Sequence, residues 1–118
     1  MARPRTVSLI GWFFVVYESV ASVAALWGLL KSPHGVTATS PGLLALATRI
    51  LGVVGGALLL RGLGVARWLL AGCIAYHVLI GALHGPLQFV VHGVLCALLL
   101  YLLFRPPVSA WLLEMRRS

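Results

Sequence analysis

Acidic side chains are almost missing from this chain: Glu18 and Glu114 are the only carboxylate side chains in 118 residues, and charged residues of both signs reach only 9%. A water-soluble globule carries nearer ~25% charge, so this composition cannot coat one. Cysteine is scarce as well. Cys73 and Cys96 stand outside any Cys-x-x-Cys pair, which excludes a disulfide framework or a redox dithiol motif. Long polar stretches are also missing, so no soluble domain is left to house ordinary catalysis or nucleic-acid reading. The net charge of +7 comes from basic residues scattered beside apolar runs. That placement is the pattern of topology signals, not of a nucleic-acid surface.

What the chain does have is hydrocarbon: 61% of it is hydrophobic, with a mean hydropathy of +1.04. Four apolar stretches, 7–30, 43–60, 66–83 and 86–104, each approach the ~20 residues needed to cross a bilayer core as a helix. The first follows a basic MARPRT segment that could open a cleavable signal peptide, but its apolar run continues to Leu30 and contains Glu18, so a retained span is expected. Arg3 and Arg5 precede the first span, Arg61 and Arg67 separate the second from the third, and Arg105, Arg116 and Arg117 follow the fourth. All three segments lie on one face, which the positive-inside rule makes cytoplasmic. The expected fold is therefore all-α: a single integral membrane bundle of four transmembrane helices over residues 1–118, both termini cytoplasmic, in a cell inner membrane.

Local chemistry marks the boundaries. Ser40 then Pro41 reads as an N-cap followed by proline in the first helical turn, and Pro86 opens the fourth span in the same way. Arg61-Gly62-Leu63-Gly64-Val65-Ala66-Arg67 breaks an apolar stretch too long for one span. Trp12, Trp68 and Trp27 fall near the boundaries, where amphipathic rings settle. After Arg105-Pro106-Pro107, the residues Val108, Trp111, Leu112 and Met115 recur at i, i+3, i+4 and i+7, predicting a short interfacial helix on the inner leaflet over the tail 105–118. Gly52-x-x-x-Gly56, Ala71-x-x-x-Ala75 and Gly93-x-x-x-Ala97 are candidate seams for close helix contact.

Polar side chains inside the spans are few and costly, at least ~2.5–3.5 kcal/mol for an uncompensated central charge. Glu18 falls near the middle of the first span and shares a face with Ser22 and Ala25. Arg49, His77 and His92 each lie about six residues, or ~9 Å, below the outer boundary. Arg49 shares a face with Gly52 and Gly56, which aims it inward and makes Glu18 its natural partner. In Cys73–Cys96, CIAYHVLIGALHGPLQFVVHGVLC, the pairs Cys73/Cys96 and His77/His92 are each equidistant from the bend at Gly85-Pro86. Each pair is therefore level in an antiparallel hairpin. If the two faces meet, Cys73, His77, His92 and Cys96 become candidate metal ligands and the histidines candidate haem ligands. If they do not, the histidines serve as structural donors and the cysteines as small apolar residues.

Two resemblances bear on these residues. Ala75-Tyr76-His77-Val78, with Gly81 and His84, resembles the haem-ligand helix of the cytochrome b membrane-anchor subunits of succinate dehydrogenase. That resemblance implies a haem held at His77. It is confined to Ala75–His84, and the aspartate and quinone motif of those anchors have no counterpart here. The four spans with a lone glutamate in the first are similar to the small multidrug resistance transporters. This likeness implies a drug- and proton-binding role for Glu18, although the aromatic and glycine motifs of that family's later spans are not present.

From the residues themselves, the expectation is a small non-enzymatic membrane protein. It would be an accessory subunit or a small-ligand-binding protein, with Glu18, Arg49, His77 and His92 as its polar cluster, and its candidate partners are a larger membrane protein complex or further copies of itself in a homo-oligomer. A proton-coupled carrier using Glu18 and a haem-carrying electron-transfer subunit are the alternatives. No nucleophile with a positioned base can be recognised that would make it an enzyme.

Overall fold

The computed structural model describes residues 2–32 and 40–118, the side chains of residues 40 and 41 excepted, so the expected Ser40-Pro41 cap lies outside the described residues. The chain is all-helical, with α1 at Arg5–Lys31, α2 at Ser40–Leu60, α3 at Val65–Leu83, α4 at Pro86–Leu103 and α5 at Pro106–Arg117. The first four are long and apolar enough to cross a membrane, as expected of a multi-pass membrane protein.

The turns follow from their residues. At the end of α2, Gly62 adopts φ +79°, its N–H donates to the Leu59 carbonyl, and the Leu63 N–H donates to the Leu58 carbonyl. This is a Schellman ending, which only a residue tolerant of positive φ accommodates without strain. Arg3 donates to the Leu60 carbonyl at 3.1 Å, satisfying a further acceptor left over at the same helix end. Between α3 and α4, Gly85 sits at φ +127° and Pro86 begins the next helix, where a missing N–H costs nothing.

Each spanning helix packs on its neighbour in sequence, but α1 and α4 meet only sparsely, and the molecule measures 52 × 29 × 18 Å. A lateral cleft is left between α1 and α4, with α3 at its floor. Lipid explains why the ring need not close: the bilayer solvates apolar side chains as well as a neighbouring helix does, so only shape fit and polar contacts draw helices together. Accordingly α4 turns Val90, Val91, Val94 and Leu98 outward, all more than half exposed.

The small-residue motifs divide in an unexpected way. Gly52 and Gly56 are both at helix contacts, whereas Gly93 has open space around it and Ala75 and Ala97 are exposed. Small-residue spacing picks a helix face but does not say which face meets a partner. The tightest approach joins α1 to α2, where a Cβ on Gly56 would lie 2.8 Å from the Gly11 carbonyl oxygen and 3.0 Å from the Phe14 Cβ. A backbone oxygen cannot swing aside. Gly56→Ala should therefore cost about 1–3 kcal/mol by overpacking, while Gly72→Ala, with nothing within 4 Å, should cost nothing. Thermal unfolding of both variants in one detergent checks this, and equal melting temperatures would contradict the close α1–α2 crossing.

The tail departs from its expected role. Its helix forms, but Val108, Trp111 and Leu112 are at most 3% exposed and belong to the same apolar core as Val7, Leu59 and Leu103. The stripe expected to lie on lipid is covered by protein. Of the predicted apolar face only Met115 stays largely exposed, and even there a Cβ on Gly62 would touch its Cγ at 2.9 Å. The reason is the turn at Arg105-Pro106, which folds α5 back beneath the α2–α3 connection, and Arg67 secures it by donating to the Ser109 hydroxyl at 3.0 Å.

Candidate functional site

Glu18 is the most buried polar residue among those described, at 1% exposure. The absence of a side chain at Gly52 creates its space: a Cβ there would fall 2.8 Å from the Glu18 Cγ. So Gly52, expected only as a packing residue, cradles the carboxylate. Two donors reach that carboxylate. Arg49 places a guanidinium nitrogen 3.4 Å from Oε2, and His77 places Nε2 3.1 Å from Oε1. Three helices thus converge on one carboxylate, and the depth difference between Glu18 and Arg49 is closed by the length of the two side chains. His77 thus meets, through Nε2, a carboxylate that the Arg49 guanidinium also pairs. A buried acid needs such partners, because an unpaired one would be strongly unfavourable in hydrocarbon.

His92 is not bonded to this cluster. Its Nδ1–H donates to the Gln88 carbonyl of its own helix at 2.8 Å. It does meet α3, where a Cβ on Gly81 would lie 3.2 Å from the His92 Cβ. His84 likewise donates to its own helix, to the Ile80 carbonyl at 2.7 Å, and is exposed.

The hairpin's mirror resolves into different surroundings for its halves. Cys73 Sγ lies 3.7 Å from the Thr48 carbonyl oxygen, so its weak donor turns toward α2. Cys96 instead lines the cleft between α1 and α4. Both are free thiols. The four candidate ligands Cys73, His77, His92 and Cys96 therefore do not converge, and among the described residues no group of three or more His, Cys, Asp or Glu side chains is placed to hold a metal ion. Equal depth set by the hairpin is not enough; helix rotation decides which way each side chain turns. For haem, His77 already has on Glu18 the Nε2 that an iron would take, so His77 and His92 do not present a matched axial pair.

What His77, His92 and Cys96 do share is a cavity of about 260 Å³ in that cleft. Glu18 and His77 supply its polar inner wall, with His92 beside them, while Phe13, Phe14 and Tyr17 of α1 and Leu95 and Leu99 of α4 supply the apolar remainder. The aromatic wall is ordered: Phe13 stacks on Tyr17 with ring centroids 5.4 Å apart, and its ring meets Phe14 edge to face at 5.6 Å. Sequence reasoning overlooked these three rings. Their signal was available, since Phe14 precedes Glu18 by one helical turn and Phe13 precedes Tyr17 by the same interval. The chain matches no protein-family model, and no curated protein or solved structure is significantly similar to it.

Proposed function

We propose that the protein is a non-enzymatic multi-pass membrane protein that binds a small amphiphilic molecule in the cleft between α1 and α4. The observation that carries this reading is the buried Glu18 carboxylate, held by Arg49 and His77, at the inner wall of an otherwise apolar cavity. At about 260 Å³ the cavity is just below the 300–1,000 Å³ usual for ligand pockets, which favours a small occupant. The polar groups lining the cavity are the Glu18 carboxylate, the His77 and His92 imidazoles and the Tyr17 hydroxyl, and the carboxylate is the most buried of them. A suitable ligand therefore has an aromatic or branched apolar body with one hydroxyl or amine donor, and it would enter from the bilayer, where α1 and α4 part. In this reading both termini lie in the cytoplasm, following the arginine bias, and the membrane is a cell inner membrane. The wide lipid-facing surface leaves room for a second copy or a larger membrane partner.

Titration with 1-naphthol, an apolar bicycle carrying one donor, tests the site. Binding should saturate, and Cys96→Phe, which fills the cavity from α4, should weaken it at least about tenfold, or ~1.4 kcal/mol. Non-saturating partition, identical in Cys96→Phe, would overturn the reading. The Glu18–His77 contact also supports a second reading, a proton-coupled carrier in which Glu18 exchanges its partners for a proton. Uptake driven by a pH gradient in proteoliposomes that survives Glu18→Gln would remove that mechanism.

A further inference from the structure

A second cavity lies at the opposite end of α3, independent of the cleft. It is open and about 500 Å³, bounded by the α2–α3 connection at Leu63 and Val65, by Arg67 and Trp68 at the start of α3, and by Leu113 and Arg116 of α5. Its charged lining is two arginines and no acid. Arg67 is held in place: one guanidinium nitrogen donates to the Ser109 hydroxyl at 3.0 Å, and the group lies 5.3 Å from the centre of the Phe104 ring. Its Nε–H is buried and finds no acceptor among the described residues. The positive end of α3 lies at the same place, with no capping side chain and no acid in the first turn. Beside these cationic groups Trp68 is 65% exposed, packed edge to face on Phe104 at 5.3 Å, and Leu63, Val65 and Leu113 are exposed as well.

We infer that this cavity is a binding site for the headgroup of an anionic phospholipid, with Arg67 and Arg116 on the phosphate and Trp68 and Leu113 against the start of the acyl chains. Charge complementarity selects the occupant. Guanidinium groups bind phosphate oxygens with several directed donors, and a tryptophan at a span boundary sits at headgroup level in a bilayer. The combination of a cationic floor and exposed apolar rim fits a molecule that is anionic at one end and hydrocarbon at the other. A zwitterionic lipid fits less well, because its ammonium group would meet two arginines with no acid to offset them. The inference also accounts for the α5 fold-back, since α5 supplies Arg116 and one wall.

Native mass spectrometry of the delipidated protein, offered equal amounts of phosphatidylglycerol and phosphatidylcholine, tests this. Phosphatidylglycerol should be retained in preference. Arg116→Gln, an exposed change that leaves packing alone, should lower that preference about fivefold, the expected effect of one basic residue at a lipid surface. Arg67→Gln combined with Arg116→Gln should abolish it, and Arg5→Gln, which removes the same charge outside the cavity, should leave it intact. The proposal is overturned if the two lipids bind equally or if Arg5→Gln has the same effect as Arg116→Gln. It is also overturned if millimolar inorganic phosphate displaces the lipid, which would make the site one for a soluble anion.

Discussion

Arg49→Leu should destabilise the protein by about 3 kcal/mol, while Glu18→Gln should cost only about 1 kcal/mol and the double variant little more than Glu18→Gln alone. The asymmetry comes from what each change leaves behind. Removing Arg49 strands a carboxylate that is 2% exposed, with only His77 to answer it. Removing the charge on Glu18 leaves an arginine whose side chain is already 27% exposed and which can extend toward the polar surface. Glutamine also retains the shape that fits against Gly52. The figure for Arg49 is at the lower end of the range for broken buried pairs, because this pair is long at 3.4 Å and one partner is partly solvated. Unfolding by thermal or detergent titration reads all three variants. Strict additivity of the two single changes would mean that Glu18 and Arg49 do not act as a pair, and the cluster would then have to rest on His77.

How far the sequence discloses this arrangement differs from residue to residue. The spans are legible because lipid demands long uninterrupted apolar runs, and their ends are legible because Gly62 and Gly85-Pro86 have conformations few other residues tolerate. The meeting of Glu18 with Arg49 follows from depth along the helices and from the glycines on the arginine's face. Depth, however, says nothing about rotation, and rotation is where the reading from sequence stops. His77 and His92 are level by hairpin symmetry, yet His77 turns to Glu18 and His92 to its own backbone. Cys73 and Cys96 are level by the same symmetry and end on different sides of α3. Rotation is set by where bulk can be accommodated, as at Gly56 against Gly11 and Gly81 against His92, and those fits involve residues far apart in the chain. The aromatic wall of the cleft was hidden for a different reason. Phe13, Phe14 and Tyr17 look like any lipid-facing residues until the sparse α1–α4 contact exposes them to a shared cavity.

The tail shows the same limit at its sharpest, and it carries the largest single-residue effect expected. Trp111→Ala should cost about 3–5 kcal/mol, the usual loss for emptying a buried aromatic site. Trp111 is 3% exposed among Val7, Leu59 and Leu103, and its ring would lie 3.1 Å from a Cβ on Gly62. Trp111→Phe should cost less than half as much. The indole N–H is buried without a partner among the described residues, so the phenyl ring loses volume but leaves no acceptor unsatisfied. The physical contrast is with the spans. Between spans, burying a leucine against protein or against lipid is nearly equivalent, whereas α5 lies beyond the spanning helices, where its apolar stripe would otherwise meet water or headgroups. There the hydrophobic effect acts at full strength, and a twelve-residue helix too short to be stable alone gains its order from docking. Melting curves of the two variants, read alongside hydrogen exchange of the α5 amides, separate local undocking from global unfolding. Loss of α5 protection in Trp111→Ala with retention in Trp111→Phe is the expected pattern. Full protection of α5 in Trp111→Ala would mean that the helix is held by the Arg67–Ser109 contact or by the membrane surface, and not by the core beneath it.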